Sequence, residues 1–217
     1  MKYSYAPLFF FILMAYAGYS QKAISELTAH YSLSIKNNLG EDQLRDAEWK
    51  LCIKGDQTRT DLTSKLGSES SIWDRKTGVG MILKEYSGQK LLINLTQEDW
   101  LRLNKDFRNM VFNIQPGITT INDYACKKAT AANGEKMVEL YFSDDYPLLN
   151  NDYNMSFLGI RGLPVKIIIN DKKAGNEWVA TYLLNNLNTD IVPITLFNPS
   201  HNGFRVLNFS EMMKNKK

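Results

Sequence analysis

The sequence predicts a mainly β (α+β) chain, an antiparallel meander of about eleven short strands with a helix set into it. Three observations carry that reading. Apolar and polar residues alternate over most of the chain beyond residue 21, the period of half-buried antiparallel strands. Turn-forming clusters such as Gly55-Asp56, "KLGS", "RKTG", "YSGQ" and Asn133-Gly134 punctuate the alternating runs. One stretch, beginning at Thr96, abandons the alternation for helical spacing.

The runs follow in order. "HYSLSIK" puts Tyr31, Leu33 and Ile35 on one face, and "AEWKLCIK" turns Trp49, Leu51 and Ile53 inward while Glu48, Lys50, Cys52 and Lys54 face away. "QTRTDLT", "ESSIWD", "VGMILKE" and "KLLINL" continue the meander. In "TQEDWLRLNKDFRNM", Thr96 is a plausible N-cap with acids at Glu98 and Asp99, and Trp100, Leu103, Phe107 and Met110 or Val111 form one stripe. "QPG" at 115–117 should stop this helix. Strands resume with a hairpin over 124–142, then "LPVKIIIN" and "EWVATYLL", and a short polar-ended helix, "FSEMMKNKK", closes the chain.

The hairpin is specific enough to register. If Asn133-Gly134 is its two-residue turn, Thr130 opposes Met137, Lys128 opposes Glu139 and Cys126 opposes Tyr141 on a wet face. Ala125, Ala129, Val138, Leu140 and Phe142 then share the dry one. Cys126, and by the same alternation Cys52, fall on wet faces of strands too far apart in a meander to be bridged, so unpaired thiols are expected.

Composition narrows the class. Of 217 residues, 44% are hydrophobic and 23% charged, which fits one globular domain and neither a disordered tail nor a membrane protein throughout. Residues 1–20 stand apart: Lys2, an apolar run from Leu8 to about Tyr16, and small residues at Ala15, Ala17, Gly18 and Ser20 read as an export signal. The run is well short of the ~20 residues a spanning helix needs. Gln21 is the expected first mature residue, and residues 21–217 form one domain that does not span a membrane. With its first cysteine at Cys52, the product is expected to be unlipidated and periplasmic, or secreted. A formal charge of +3, with no basic block except the terminal "KNKK", argues against nucleic acid.

Chemistry-bearing patterns are few. His30 and His201 are far apart, and no His/Cys/Asp/Glu cluster has metal-ligand spacing, so neither metal nor cofactor is expected. "NDKKAGNE" and "SDDYPLLNNDYN" are acidic turns without the spacing of a calcium loop. No Gly-x-Ser-x-Gly turn is present, and Asp144-Asp145 are strand neighbours that point to opposite faces. A non-catalytic chain is the expectation.

Four blocks, "KLGSESSIWDRKTGVGMILKEYSGQKLLINLT", "YACKKATAANGEKMVELYFSDDYP", "FLGIRGLPVKIII" and "VPITLFNPSHNGFRVLNFSEM", resemble an uncharacterised family of exported Gram-negative bacterial proteins related to the lipoprotein-sorting carriers LolA and LolB. The turn Gly159, Gly162, Leu163, Pro164 and the hairpin start Cys126, Lys127, Lys128, Ala129 carry most of the match, which spans roughly residues 25 to 212. The resemblance implies an incomplete antiparallel β-barrel wrapped around one or more helices, with an apolar concavity for acyl chains. It implies a periplasmic carrier of an apolar ligand, whether acyl chain, lipid or lipoprotein. Leu33, Ile35, Trp49, Leu51, Ile53, Val138, Leu140, Phe142, Ile167 and Ile169 would line the cavity, with Trp100, Leu103 and Phe107 as its lid or floor. The alternative is an envelope module that binds a partner protein and holds no lipid.

Overall fold

The structure, a computed structural model, describes residues 22–214 apart from 45, 156, 174 and 176. The expected export signal and most of the terminal "KNKK" lie outside the described residues. Six strands run first: β1 (Glu26–Asn37), β2 (Ala47–Lys54), β3 (Gln57–Ser64), β4 (Gly67–Asp74), β5 (Val79–Tyr86) and β6 (Gln89–Thr96). Helix α1 (Gln97–Arg108) follows, then the short β7 (Asn113–Ile114) and β8 (Thr119–Ile121). The long strands β9 (Tyr124–Asn133), β10 (Lys136–Pro147), β11 (Gly162–Asp171) and β12 (Trp178–Asn188) complete the body. A 3-10 turn (Ile194–Phe197), β13 (Arg205–Leu207) and α2 (Phe209–Lys214) end it.

All the long strands belong to one open sheet in the order β13-β6-β5-β4-β3-β2-β1-β12-β11-β10-β9-β7. The mainly β, antiparallel class is as the alternation predicts. The single meander is not: two meanders, β1–β6 and β9–β12, are joined edge to edge where β1 pairs with β12, from Asn37↔Trp178 to Thr28↔Asn188. Both strands are apolar on one face only, so the pairing extends that face without a break. The sheet does not close; the parallel strand β13 covers β6 at one end, and β7 and β8 cover β9 at the other.

Register builds the core in rows across the sheet. Leu33 lies beside Tyr182, which lies beside Ile167, Leu140 and Ala129 in turn. The next row is Ile35, Ala180, Ile169, Val138 and Ala131. On the other side Leu27–Ile53–Thr58–Trp73–Gly80–Leu95 and Ala29–Leu51–Thr60–Ser71–Ile82–Ile93 run through the first meander. This is the inner face.

Helix α1 begins where expected. Thr96 Oγ1 accepts from the Asp99 N–H at 3.3 Å, and Asp99 Oδ2 accepts from the Thr96 N–H at 3.1 Å, a reciprocal cap. The helix ends at Arg108, before the Pro116-Gly117 stop, because the Met110 N–H turns back to the Phe107 carbonyl. Trp100 and Met110 of the expected stripe are buried, whereas Val111 is exposed.

The hairpin is shifted from its expected register. Its turn is Gly134-Glu135, with Asn133 opposite Lys136 and only Gly134 at positive φ (+61°), the pattern of a II′ turn. Asn133 is instead held at the strand end, where its Nδ2 donates to the Asp106 carbonyl in the last turn of α1 at 3.1 Å. Met137 therefore opposes Ala132, and Tyr141 opposes Lys128. The change moves opposing pairs by two, so Ala129, Val138, Leu140 and Phe142 keep the dry face. Lys128 still reaches Glu139, now diagonally, at 2.7 Å.

Both cysteines correct the sequence reading. Alternation slips between Lys127 and Lys128; pairing with β10 ends at Lys127, opposite Phe142, and residues 124–126 pair with β8 alone. Cys126 is thereby buried in the core and Ala125 exposed. Cys52 keeps its outward facing, but that side of β2 is covered by Val192 and Phe197. Both thiols are free, with four strands between theirs in the sheet order.

Candidate functional site

Two regions could take a ligand, the inner face and the outer face. All thirteen expected cavity residues sit on the inner side. Leu33, Trp49, Leu51, Ile53, Val138, Leu140, Phe142, Ile167 and Ile169 are buried in one cluster, with Ile35 and Phe107 half-buried against it. Trp100 and Leu103 belong to a second cluster with Trp73, Ile82, Ile93 and Leu95. The residues are brought together, but against one another and against the chain's own segment 148–160. Tyr153, Phe157 and Ile160 from that segment are buried on the strand side chains, and Phe157 meets Phe107 and Phe112 edge to face at 5.9 and 5.5 Å.

Segment 148–160 is tied down by polar groups that its sequence, "LLNNDYNMSFLGI", presents as a solvated turn. Asp152 lies under α1 and receives three side-chain donors. Trp100 Nε1 and Arg108 Nη1 donate to Oδ1 at 2.9 and 2.7 Å, and Trp73 Nε1 donates to Oδ2 at 3.2 Å. The two indoles are stacked, with centroids 4.7 Å apart and planes 5° from parallel, so both N–H groups reach one carboxylate. Thr58 Oγ1 donates to the Asp152 carbonyl, and the Asp152 N–H closes an Asx turn on Asn150. Asn104, buried in α1, accepts from the Met155 N–H at 3.0 Å. No spacing in the sequence points to Asp152; the signal is only that a dense run of Asn and Asp supplies many short-range turn acceptors.

Open volume among the described residues lies on the outer face. Residues 190–204 cross β1–β6 as a strap. Glu26 accepts from the Val192 N–H at 2.9 Å and from Lys54 Nζ at 2.9 Å; Arg59 Nη1 donates to the Leu196 carbonyl at 2.6 Å. Val192 and Phe197 press on Cys52 and Ile72, and Lys90 lies over the Phe204 ring. A cavity opens on each side of this strap.

The larger, about 750 Å³, lies over the outward residues of two rows: Gln57, Asp74, Val79 and Thr96, then Ile72, Met81 and Asn94, with Phe197 and Asn198 as one wall. Its charged group is Asp74, whose Oδ1 is engaged by the Lys76 and Thr77 N–H groups. The Asn94 and Asn198 carboxamides are exposed, and neither meets a partner within the protein among the described residues. The smaller cavity, about 410 Å³, is polar, and its charged groups are Lys50, Arg59 and Lys90 against Asp61 and Glu85. There Asp61 takes Arg59 Nε at 2.7 Å, Ser70 Oγ at 2.6 Å and Lys50 Nζ at 3.0 Å. Burial raises the Asp61 pKa, but Ser70, Arg59 and Lys50 together outweigh it and hold the carboxyl below its usual value. Neither cavity is lined by any of the thirteen expected residues.

Acid–base chemistry finds little support. Burial pushes both the Cys52 and Cys126 thiols up, away from the thiolate. His30 and His201 are both exposed and on separate elements. Among the described residues no group of three or more His, Cys, Asp or Glu side chains is placed to hold a metal ion. No helix among them is long and apolar enough to cross a membrane.

No protein-family model and no curated protein matches the chain. Among solved structures, PNGF-II in its P21 crystal form is similar with a TM-score of 0.54 and 12% identity over 88% of this chain and 33% of that one. Its C2 form gives 0.54 and 13% over 87% and 32%. An uncharacterized conserved protein from Thermus thermophilus gives 0.48 and 9% over 85% and 91%. The chain spans about a third of the length of PNGF-II, and at this identity the likeness concerns the fold alone.

Proposed function

We propose that this chain is an exported, non-catalytic binding module of the cell envelope, one that takes its ligand on the outer face of the sheet. The observation that supports it is where open volume lies. The inner face is occupied by the chain's own side chains, while the outer face keeps a groove beside the strap. Magnitudes favour the same side. Uncovering Leu148, Tyr153, Phe157 and Ile160 would cost roughly 1.5–3 kcal/mol each, a sum that approaches the stability of a typical domain. A ligand on the outer face displaces nothing of that kind. Export rests on residues 1–20, and the non-catalytic reading on the scattered histidines and buried, protonated thiols.

Native mass spectrometry of protein recovered from its own compartment, with organic extraction, tests this reading. The bare mass is expected, together with no uptake of a fluorescent fatty acid. A lipid in the extract would overturn it in favour of the carrier.

The carrier reading, with its likeness to LolA and LolB, keeps one specific support. Segment 148–160 covers an inner face whose apolar cluster draws on β1, β2 and β9–β12, and one carboxylate, Asp152, gathers three of its side-chain ties. On that reading the segment is a lid, and Asp152→Ala would admit a fluorescent fatty acid that the parent chain excludes.

A further inference from the structure

The groove between the strap and β3–β6 has a lining that narrows what it could hold. Neither lysine nor arginine lines it, which sets anionic ligands aside, and one turn-capping carboxylate cannot make a cation site. Its floor is apolar, formed by Ile72, Val79 and Met81. Around that floor stand neutral groups, Gln57, Thr77, Asn94, Thr96 and Asn198; Thr96 Oγ1 is spent on the cap of α1 and Gln57 Nε2 on Asp74, which leaves Thr77 and the Asn94 and Asn198 carboxamides to donate and accept at once. An acyl chain would leave these carboxamides desolvated and unpaired. An extended peptide binds most readily by adding to a strand edge, whereas this groove lies over the face of β3–β6, whose backbones are paired with one another. The ligand chemistry left is neutral, rich in hydroxyls and flat on one side.

We propose that this groove is a carbohydrate site, in which Asn94 and Asn198 clasp hydroxyls of a short neutral oligosaccharide lying over Val79 and Met81. The inference rests on the outer-face binding module of the preceding section and names its ligand class. Four strands at about 4.8 Å spacing give the groove roughly 14 Å of width, enough for more than one sugar ring. Asn94 faces outward on β6, and Asn198 ends the 3-10 turn, so the two reach the groove from opposite sides. Because neither carboxamide has a partner in the fold among the described residues, a ligand replaces only water at them and breaks no hydrogen bond within the protein.

The test is a backbone amide NMR titration of the mature chain with a panel of neutral oligosaccharides at millimolar concentration, alongside a capped neutral peptide. At least one saccharide is expected to move the amides of 72–81, 94–96 and 197–198. The double variant Asn94→Ala/Asn198→Ala should weaken that saccharide about tenfold with an unchanged melting temperature, since both side chains are exposed. If the peptide moves these amides and no saccharide does, the ligand class is wrong and the binding module stands. If saccharide shifts map elsewhere, or the double variant leaves them intact, the site assignment fails. If neither probe moves the groove amides, the carbohydrate proposal is overturned, whereas the module reading is judged separately by whether lipid is extracted.

Discussion

At the level of single residues, Asp152 does more for the fold than any acid read from the sequence. It gathers two stacked indoles and an arginine from α1 and β4, while its own backbone ties segment 148–160 to β3. Its side chain and that of Arg108 keep 14% and 21% of their surface, so the pair is substantially withdrawn from water. Removing one partner of such a pair leaves the other charge uncompensated. Asp152→Ala should cost about 3–5 kcal/mol, with Asp152→Asn milder because an amide oxygen still accepts. Chemical denaturation measures the loss, and near-ultraviolet circular dichroism should lose the signal of the Trp73–Trp100 stack. An Ala variant as stable as the parent would show that the clasp is incidental.

Among the elements, the strap over residues 190–204 decides how much of the outer face is open. It is anchored through a small apolar cluster and through acceptors on the sheet, and Cys52 lies beneath it. Phe197→Ala should cost about 3 kcal/mol and hasten modification of Cys52, while Cys126 in the main core reacts no faster. Thiol-reagent kinetics with mass mapping distinguishes the two sites. The anchors also carry a pH dependence. The Lys54 ammonium, then the Val192 N–H, holds the Glu26 carboxyl below its ordinary value, and Asp61 is held below its own by Ser70, Arg59 and Lys50. A carboxyl whose folded pKa is depressed contributes stability above its unfolded value, and that contribution is lost as pH falls through the folded one. The melting temperature should therefore drop below about pH 4, and Glu26→Gln with Asp61→Asn should flatten the drop. A parent and double variant with superimposable profiles would exclude these two groups as its source.

For the molecule as a whole, the seam between β1 and β12 makes two meanders into one body. Tyr31 of β1 sits between Trp49 and Leu184, and its hydroxyl donates to the Pro164 carbonyl at 2.7 Å, so side chains from both halves interlock there. Equilibrium unfolding should be one cooperative transition. Tryptophan fluorescence, to which Trp49, Trp73 and Trp100 of the first half and Trp178 of the second contribute, is weighted to the first half. Far-ultraviolet dichroism reports the whole sheet, and the two curves should coincide. Two separated transitions would mean that the halves are independent. Since the seam pairs residues as far apart in the chain as Thr28 and Asn188, folding should be slow, on the order of milliseconds to seconds.

Strand facing was legible in the sequence because a period of two assigns a side to every residue: Leu33, Trp49, Leu51, Ile53, Val138, Leu140, Ile167 and Ile169 all fall on the inner side. The start of α1 was legible too, since Thr96 and Asp99 are local to it. Local chemistry decides such features, and local chemistry is what a sequence displays. Three features escaped it. Asn133-Gly134 invited the wrong turn because only the fold places the Asp106 carbonyl within reach of Asn133. Cys52 looked wet because the strap that covers it, at Val192 and Phe197, lies far along the chain. The apolar inner face looked like a cavity because periodicity gives a residue's side and not its neighbour, so it cannot distinguish a ligand from Tyr153 and Phe157 of the chain itself. The β class, the two sides of the sheet and the capped helix thus follow from the order of residues alone. The β1–β12 seam, the filled inner face and the open groove outside were settled by tertiary contact, because each joins segments whose separation along the chain leaves no local mark.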